Sequence, residues 1–377
     1  MSSKFDTIRP FHDHEVNAAI QSILHDPMMN AVMQFTFPDK TEAEKAEILT
    51  NIHSTQGFQG NVVYFALQKI LAQSSDGLST SGFEKLDKNT AYLFISNHRD
   101  IFLDTSLLNF ILFEQGLILT ASAIGDNLVR MPLLNTLAKI NRNFLVLRGL
   151  PPREMLQSSR LMSEYVQELL TKENRSVWIA QREGRTKDGN DATNSGVLKM
   201  LSMAAGKENL GLYFKKLRIV PVSISYEYDP TDSLKLPELL ANMNNETYVK
   251  HEKEDFNSIM SGLLGQKKHI HFHAGDVLDS EIDNIIALDN ANQQVKALAQ
   301  LIDKQIIGNY KLWSSNYIAY DLLNETDTYA AYYTPTEKSA FKERLATKVD
   351  GTNAEARQCF LEMYANPVVN KSVLINE

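Results

Sequence analysis

Ile95-Ser96-Asn97-His98-Arg99-Asp100-Ile101-Phe102-Leu103-Asp104 joins an apolar run, Ala91–Ser96, to a second apolar segment, Thr105–Phe113, through a polar break. The first run has the length of a buried strand, and the second has the length and pattern of a helix. A strand that hands over to a helix through a polar turn is the repeating step of an α/β layer. Chemistry collects where such strands end. This turn carries a histidine and two acids, Asp100 two residues on and Asp104 six. A histidine beside a carboxylate is the minimal kit for a base with an orienting partner.

Working outward, short apolar runs alternate with helical segments from Gly82 to about Gly275. The runs are Ala91–Ser96, Leu117–Ala123, Phe144–Leu147, Val177–Ala180, Ile219–Tyr226 and His269–His273. Between them, Arg153–Thr171 reads as a helix with Met155, Leu156, Met162, Tyr165, Val166 and Leu169 on one face, and Pro151-Pro152 suits its first turn. The alternation predicts an α/β fold with a mixed, largely parallel sheet flanked by helices. On either side the pattern is helical. Val16, Ala19, Ile20, Ile23 and Leu24 recur at helical spacing, Thr41–Ile52 and Val62–Ala72 follow, and Ile282–Ile307 continues the theme near the other end. Ser74–Gly82 reads as a polar loop and as the boundary. Three regions are expected: helical 1–81, an α/β core 82–275, and helical 276–377.

Composition narrows the classes. The 377 residues are 43% hydrophobic and 22% charged, with a net charge of -8 that argues against general nucleic-acid binding. The one cysteine, Cys359, permits no intrachain disulfide and fits a reducing compartment. Met1–His14 has no signal-peptide core. The longest apolar stretch, Thr105–Gly125, is broken by Asn109, Glu114, Gln115 and Gly116, which reads as helix then strand. A cytoplasmic protein, peripheral on the cytoplasmic face of the membrane, is the expectation. Against the acidic total, residues 127–160 hold Arg130, Lys139, Arg142, Arg148, Arg153 and Arg160 against only Glu154, a local balance of +5. Anionic headgroups or the phosphates of coenzyme A are natural partners for such a stretch; a solvated basic face is the plain alternative.

Two further clusters end strands as His98 does: Asn143-Phe144-Leu145-Val146-Leu147-Arg148-Gly149 and Arg182-Glu183-Gly184-Arg185. Strands of one polarity bring such ends to one edge. With Ile219-Val220-Pro221-Val222, these clusters resemble the four sequence blocks of the glycerolipid acyltransferase superfamily, over roughly residues 82 to 230. Asn97-His98 matches the first block, Phe144 and Arg148 approximate the second with one residue extra between them, Glu183-Gly184-Arg185 matches the third, and Pro221 the fourth. The family's aspartate would fall at Leu103, so its role passes to Asp104 at the helix start, with Asp100 as the alternative and helix capping as a compatible second duty.

The resemblance implies an enzyme that moves an acyl group from acyl-CoA or acyl-acyl carrier protein to a hydroxyl of glycerol-3-phosphate or lysophosphatidate, in phospholipid biosynthesis. His98 would be the base and Asp104 its orienter. Arg148 and Arg185 would clamp the acceptor's phosphate through their forked donors. Glu183 and Gly184 belong to the same binding block, and Lys199 is an added phosphate contact. No cofactor and no metal are expected, the thioester being a co-substrate. Another lipid acceptor, or a catalytically weak lipid-binding protein on the same fold, is the alternative. Other readings fall away. His98-Arg99-Asp100 lacks a kinase loop's asparagine, Thr105 standing there, and Ala192 and Thr193 interrupt a calcium loop at Asp188. His269, His271 and His273 share one strand face, which would suit zinc, but no other ligand cluster accompanies them.

Overall fold

The computed structural model describes residues 3–251 and 253–376. Seven strands form one sheet: β1 (Gly77–Ser81), β2 (Leu93–Ser96), β3 (Thr120–Gly125), β4 (Asn143–Val146), β5 (Ser176–Ala180), β6 (Ile219–Tyr226) and β7 (His269–Ala274). Their order is β1-β7-β6-β2-β5-β3-β4. The five strands from β6 to β4 run parallel, β7 runs antiparallel to β6, and β1 runs parallel to β7. The sheet is mixed and largely parallel, flanked by helices, with helical regions at both ends of the chain.

β2 is central and buried on both faces, as an unbroken apolar run requires. Leu93 and Ile95 face one core, with Tyr165, Val166, Phe144 and Leu298; Phe94 faces the other, with Leu103, Leu107, Trp178 and Ile224. The helix Leu103–Glu114 covers the second face. The helices Pro152–Thr171 and Ala291–Asn309 cover the first. The N-terminal helices form a satellite core around Val16, Met29, Leu49 and Phe58. The C-terminal helices form another around Phe341, Phe360 and Tyr364.

Three sequence expectations change here. The polar stretch Ser74–Gly82 contains β1, not only a loop. β1 is an edge strand, largely exposed, so the apolar alternation that marks inner strands is not demanded of it. In Pro152–Thr171, Met162, Tyr165, Val166 and Leu169 are buried as expected, but Met155 and Leu156 are 49% and 60% exposed because the first turns overhang the core. The predicted Ile282–Ile307 helix is two, Asp279–Ile286 and Ala291–Asn309, the second capped by Asn290.

The three β7 histidines do share a face, and each is engaged separately. His269 Nδ1 lies 2.6 Å from Glu227 Oε2, His271 lies between Ser79 Oγ (2.8 Å) and Ser81 Oγ (3.0 Å), and His273 Nδ1 is 2.8 Å from Ser81 Oγ. Burial, with Lys311 and His273 nearby, pushes the His271 imidazole down to about 4 from 6.5. The unfolded chain therefore binds a proton there that the folded protein refuses. Stability contributed by neutral His271 is present above about pH 6.5 and is lost as pH falls toward about 4. His271→Gln should flatten the fall of the thermal midpoint across that window; an unchanged slope would show that this ring is not responsible.

Candidate active site

β2 ends at Ser96, and the chain then turns into the helix Leu103–Glu114. Asn97 fixes the turn to β6: its Nδ2 donates to the Ile224 carbonyl at 2.9 Å, and its Oδ1 accepts the Ile224 N–H at 2.8 Å. His98 is thereby held at the carboxyl edge of the parallel strands. Its Nδ1 lies 2.8 Å from Asp104 Oδ2. A carboxylate only accepts, so Nδ1 carries the proton and the neutral ring keeps its lone pair on Nε2. Among the described residues no hydrogen bond occupies Nε2. The side chain is 15% exposed, and the edge of Trp178 packs on the ring at 5.5 Å between centroids.

Asp104 is fully buried. Its Oδ2 also accepts the N–H groups of Arg99 (2.6 Å) and Asp100 (3.0 Å), and its Oδ1 accepts the Tyr226 hydroxyl at 2.9 Å. Four donors thus satisfy its two buried oxygens. The extra residue between His98 and Asp104 is absorbed by the turn Ile101–Phe102, which precedes the helix. Asp100 does different work. Its Oδ1 caps the helix by accepting the N–H groups of Phe102 (2.9 Å) and Leu103 (2.7 Å). Burial and the neighbouring Asp104 push its carboxyl upward.

The other candidate residues divide. Arg148, just past β4, forms an ion pair with Glu183, just past β5, and both are exposed at the edge where β2 ends. Gly184 has φ +71°, a left-handed turn that side chains resist, so the Glu183–Arg185 bend favours glycine there. Arg185 turns to the other flank, where its guanidinium meets Thr231 Oγ1 at 3.4 Å and Ser258 Oγ at 3.2 Å. Ser258 belongs to the helix Glu254–Leu264, which lies over the turn; a Cβ on its Gly262 would come to 2.1 Å from Asp100 Oδ2. Lys199 is exposed on the helix Ser195–Leu201, and no described hydrogen bond or ion pair ties its side chain to the others.

Two groups escaped the sequence reading. Tyr226 was visible only as a strand residue. Asp191 accepts from Arg99, from Asn97 (3.2 Å) and from Thr186 Oγ1 (2.8 Å), anchoring the loop after β5 behind His98. Burial works against the Arg99 charge, but Asp191, Tyr310, Asp229 and Asp104 more than restore it. The C-terminal helix Ala354–Asn376 clamps the same loop: Asn366 Nδ2 donates to the Asp188 carbonyl at 2.7 Å, and a Cβ on Gly189 would come to 2.4 Å from the Met363 carbonyl oxygen.

Residues 78–225, which run from β1 into β6 and include His98 and Asp104, match the sequence model of the Acyltransferase family. Over that stretch the chain is similar to the Acyltransferase family. The matched stretch contains His98, Asp104 and Glu183-Gly184-Arg185. A solved structure of the 1-acyl-sn-glycerophosphate (LPA) acyltransferase PlsC from Thermotoga maritima is similar over 76% of this chain and 91% of its own, at 12% identity and a TM-score of 0.40. No curated protein matches the sequence. Among the described residues, no helix is long and apolar enough to cross a membrane.

Proposed function

We propose that this acyltransferase moves a fatty acyl group from acyl-CoA or acyl-acyl carrier protein to a hydroxyl of glycerol-3-phosphate or lysophosphatidate. The observation that supports it best is the His98–Asp104 pair at 2.8 Å with Nε2 left open. An alcohol is a poor nucleophile until its proton leaves. Nε2 takes that proton as the oxygen attacks the thioester carbonyl. The tetrahedral intermediate then collapses, the carbon–sulfur bond breaks, and the imidazolium returns the proton to the departing thiolate. Asp104 holds the ring and stabilises its transient charge. No serine or cysteine is acylated, and no cofactor enters.

In this reading Arg185 receives the acceptor's phosphate on the flank of Thr231 and Ser258, and Arg148 and Lys199 are further cations outside that contact. Glu183 holds Arg148 in readiness, and Gly184 lets the two neighbours diverge. The two hydroxyls now on Arg185, at 3.2 and 3.4 Å, are weak partners that a phosphate would replace. A peripheral position on the cytoplasmic membrane face suits an amphiphilic acceptor. It is supported by exposed Arg130 and Met131 after β3 and by exposed Arg153, Met155 and Leu156 after β4.

Thiol release from palmitoyl-CoA, with and without each acceptor, tests the reading. Release that depends on glycerol-3-phosphate or lysophosphatidate is expected. Arg185→Ala should then raise KM for the acceptor by roughly 10- to 100-fold, the worth of a charge-assisted bond, and leave KM for the thioester unchanged. Lysolipid binding without thiol release, from either donor type, would replace this reading with a lipid-binding protein on the same fold.

A further inference from the structure

We infer that Tyr226 is a positioning residue for this reaction, acting on His98 through the second oxygen of Asp104; the role rests on the acyl-transfer reading above. The register of the sheet puts it there. β2 ends at Ser96, opposite Val222, and β6 runs on for four more residues to Tyr226. Val220, Val222, Ile224 and Tyr226 share the face beneath the helix Leu103–Glu114. The longer strand therefore carries an aromatic hydroxyl past the end of β2 to the underside of Asp104.

The two carboxylate oxygens are held unequally. Oδ2 takes His98 Nδ1 and two backbone N–H groups, all from its own turn. Oδ1 takes the Tyr226 hydroxyl alone, at 2.9 Å. A carboxylate gripped through one oxygen can still twist about its Cβ–Cγ bond. A donor on the other oxygen fixes its plane, and with it the direction of the lone pair facing Nδ1. The Tyr226 ring is buried, and burial together with Asp104 and Asp100 keeps the phenol far above its ordinary value. It stays protonated, so it donates at every working pH. Tyr226 also lines a small cavity together with Arg99, Asp229, Tyr310, Asn316, Met363 and Tyr364. Asn316 and Tyr364 belong to C-terminal helices, so those helices close the far side of that cavity.

Tyr226→Phe removes one oxygen and keeps the ring. Its kcat should fall by about 10-fold or more, the usual effect of losing an outer partner, with KM for thioester and acceptor unchanged. In an Asp104→Asn background the same change should cost nothing further, because its route runs through the carboxylate. An equal loss in both backgrounds, or a loss carried by KM, would reduce Tyr226 to a packing residue. If the unsubstituted protein releases no thiol, the acyl-transfer reading fails on its own. The positioning link is then judged by proton NMR, in which the His98 Nδ1 proton should exchange faster in Tyr226→Phe, and an unchanged rate overturns it. Should that variant not fold, the Tyr226 hydroxyl proton of the unsubstituted protein decides: slow exchange supports the bond, and fast exchange refutes it.

Discussion

Replacing His98 by alanine is expected to cut turnover by roughly 10²- to 10⁴-fold while the protein still folds. The fold should survive because the ring is not the sole partner of the buried acid. Without it, Asp104 keeps the Arg99 and Asp100 N–H groups and the Tyr226 hydroxyl. What remains is a partly exposed gap beside Trp178, not an orphaned charge. Turnover should fail because no other histidine of this edge can replace it: His269 is engaged by Glu227 and stacks on Trp313. Thiol release together with a thermal melt is the check. A variant with unchanged kcat would remove general-base catalysis from this edge altogether.

The largest expected loss of stability lies elsewhere. Lys235→Met should cost about 3–5 kcal/mol, a large share of a typical domain's margin. Lys235 is completely buried and pairs with buried Asp229, while donating to the Arg99 carbonyl at 3.2 Å. Burial works against the charge on Asp229, but Lys235 and Thr231 outweigh it and hold the carboxyl below its ordinary value. Methionine fills most of the volume and leaves that charge without its cation. The cost therefore comes from a stranded carboxylate, and not from a cavity. Adding Asp229→Asn should recover much of the loss, since a neutral amide tolerates burial better. Urea unfolding of the single and double variants distinguishes this from simple loss of packing, for which the second substitution would restore nothing.

These cases show what a linear reading can and cannot reach. β2, β5 and β6 were legible because inner strands of a parallel sheet must be apolar throughout. Asp104 was legible as the carboxylate nearest the helix start, and it lies 2.8 Å from His98 across the extra residue. β1 was not legible, because an exposed edge strand obeys no burial pattern. Nor were Lys235, Asp229, Arg344 and Asp232, since a charged side chain in a sequence resembles surface until its partner is known. Arg344 lies 2.7 Å from Asp232 across more than a hundred residues. Tyr226 was hidden for a related reason: nothing in a strand's pattern tells which hydroxyl will pass the end of its neighbour. Glu183 and Arg148 were read as neighbours of one cleft and do pair, whereas Lys199 was joined to them only by proximity in the motif order.

The grip of Ala354–Asn376 on the loop at Asp188 and Gly189 has a consequence for how the molecule comes into being. During synthesis the amino-terminal portions emerge and organise first. His98 and Asp104 can meet early, but the loop that carries Glu183 and Arg185 must wait for Asn366, nearly two hundred residues later, before its backbone is tied down. A chain cut before Ala354 should keep the His98–Asp104 contact and lose this tie on the Glu183–Arg185 loop, which proteolysis of that loop would report.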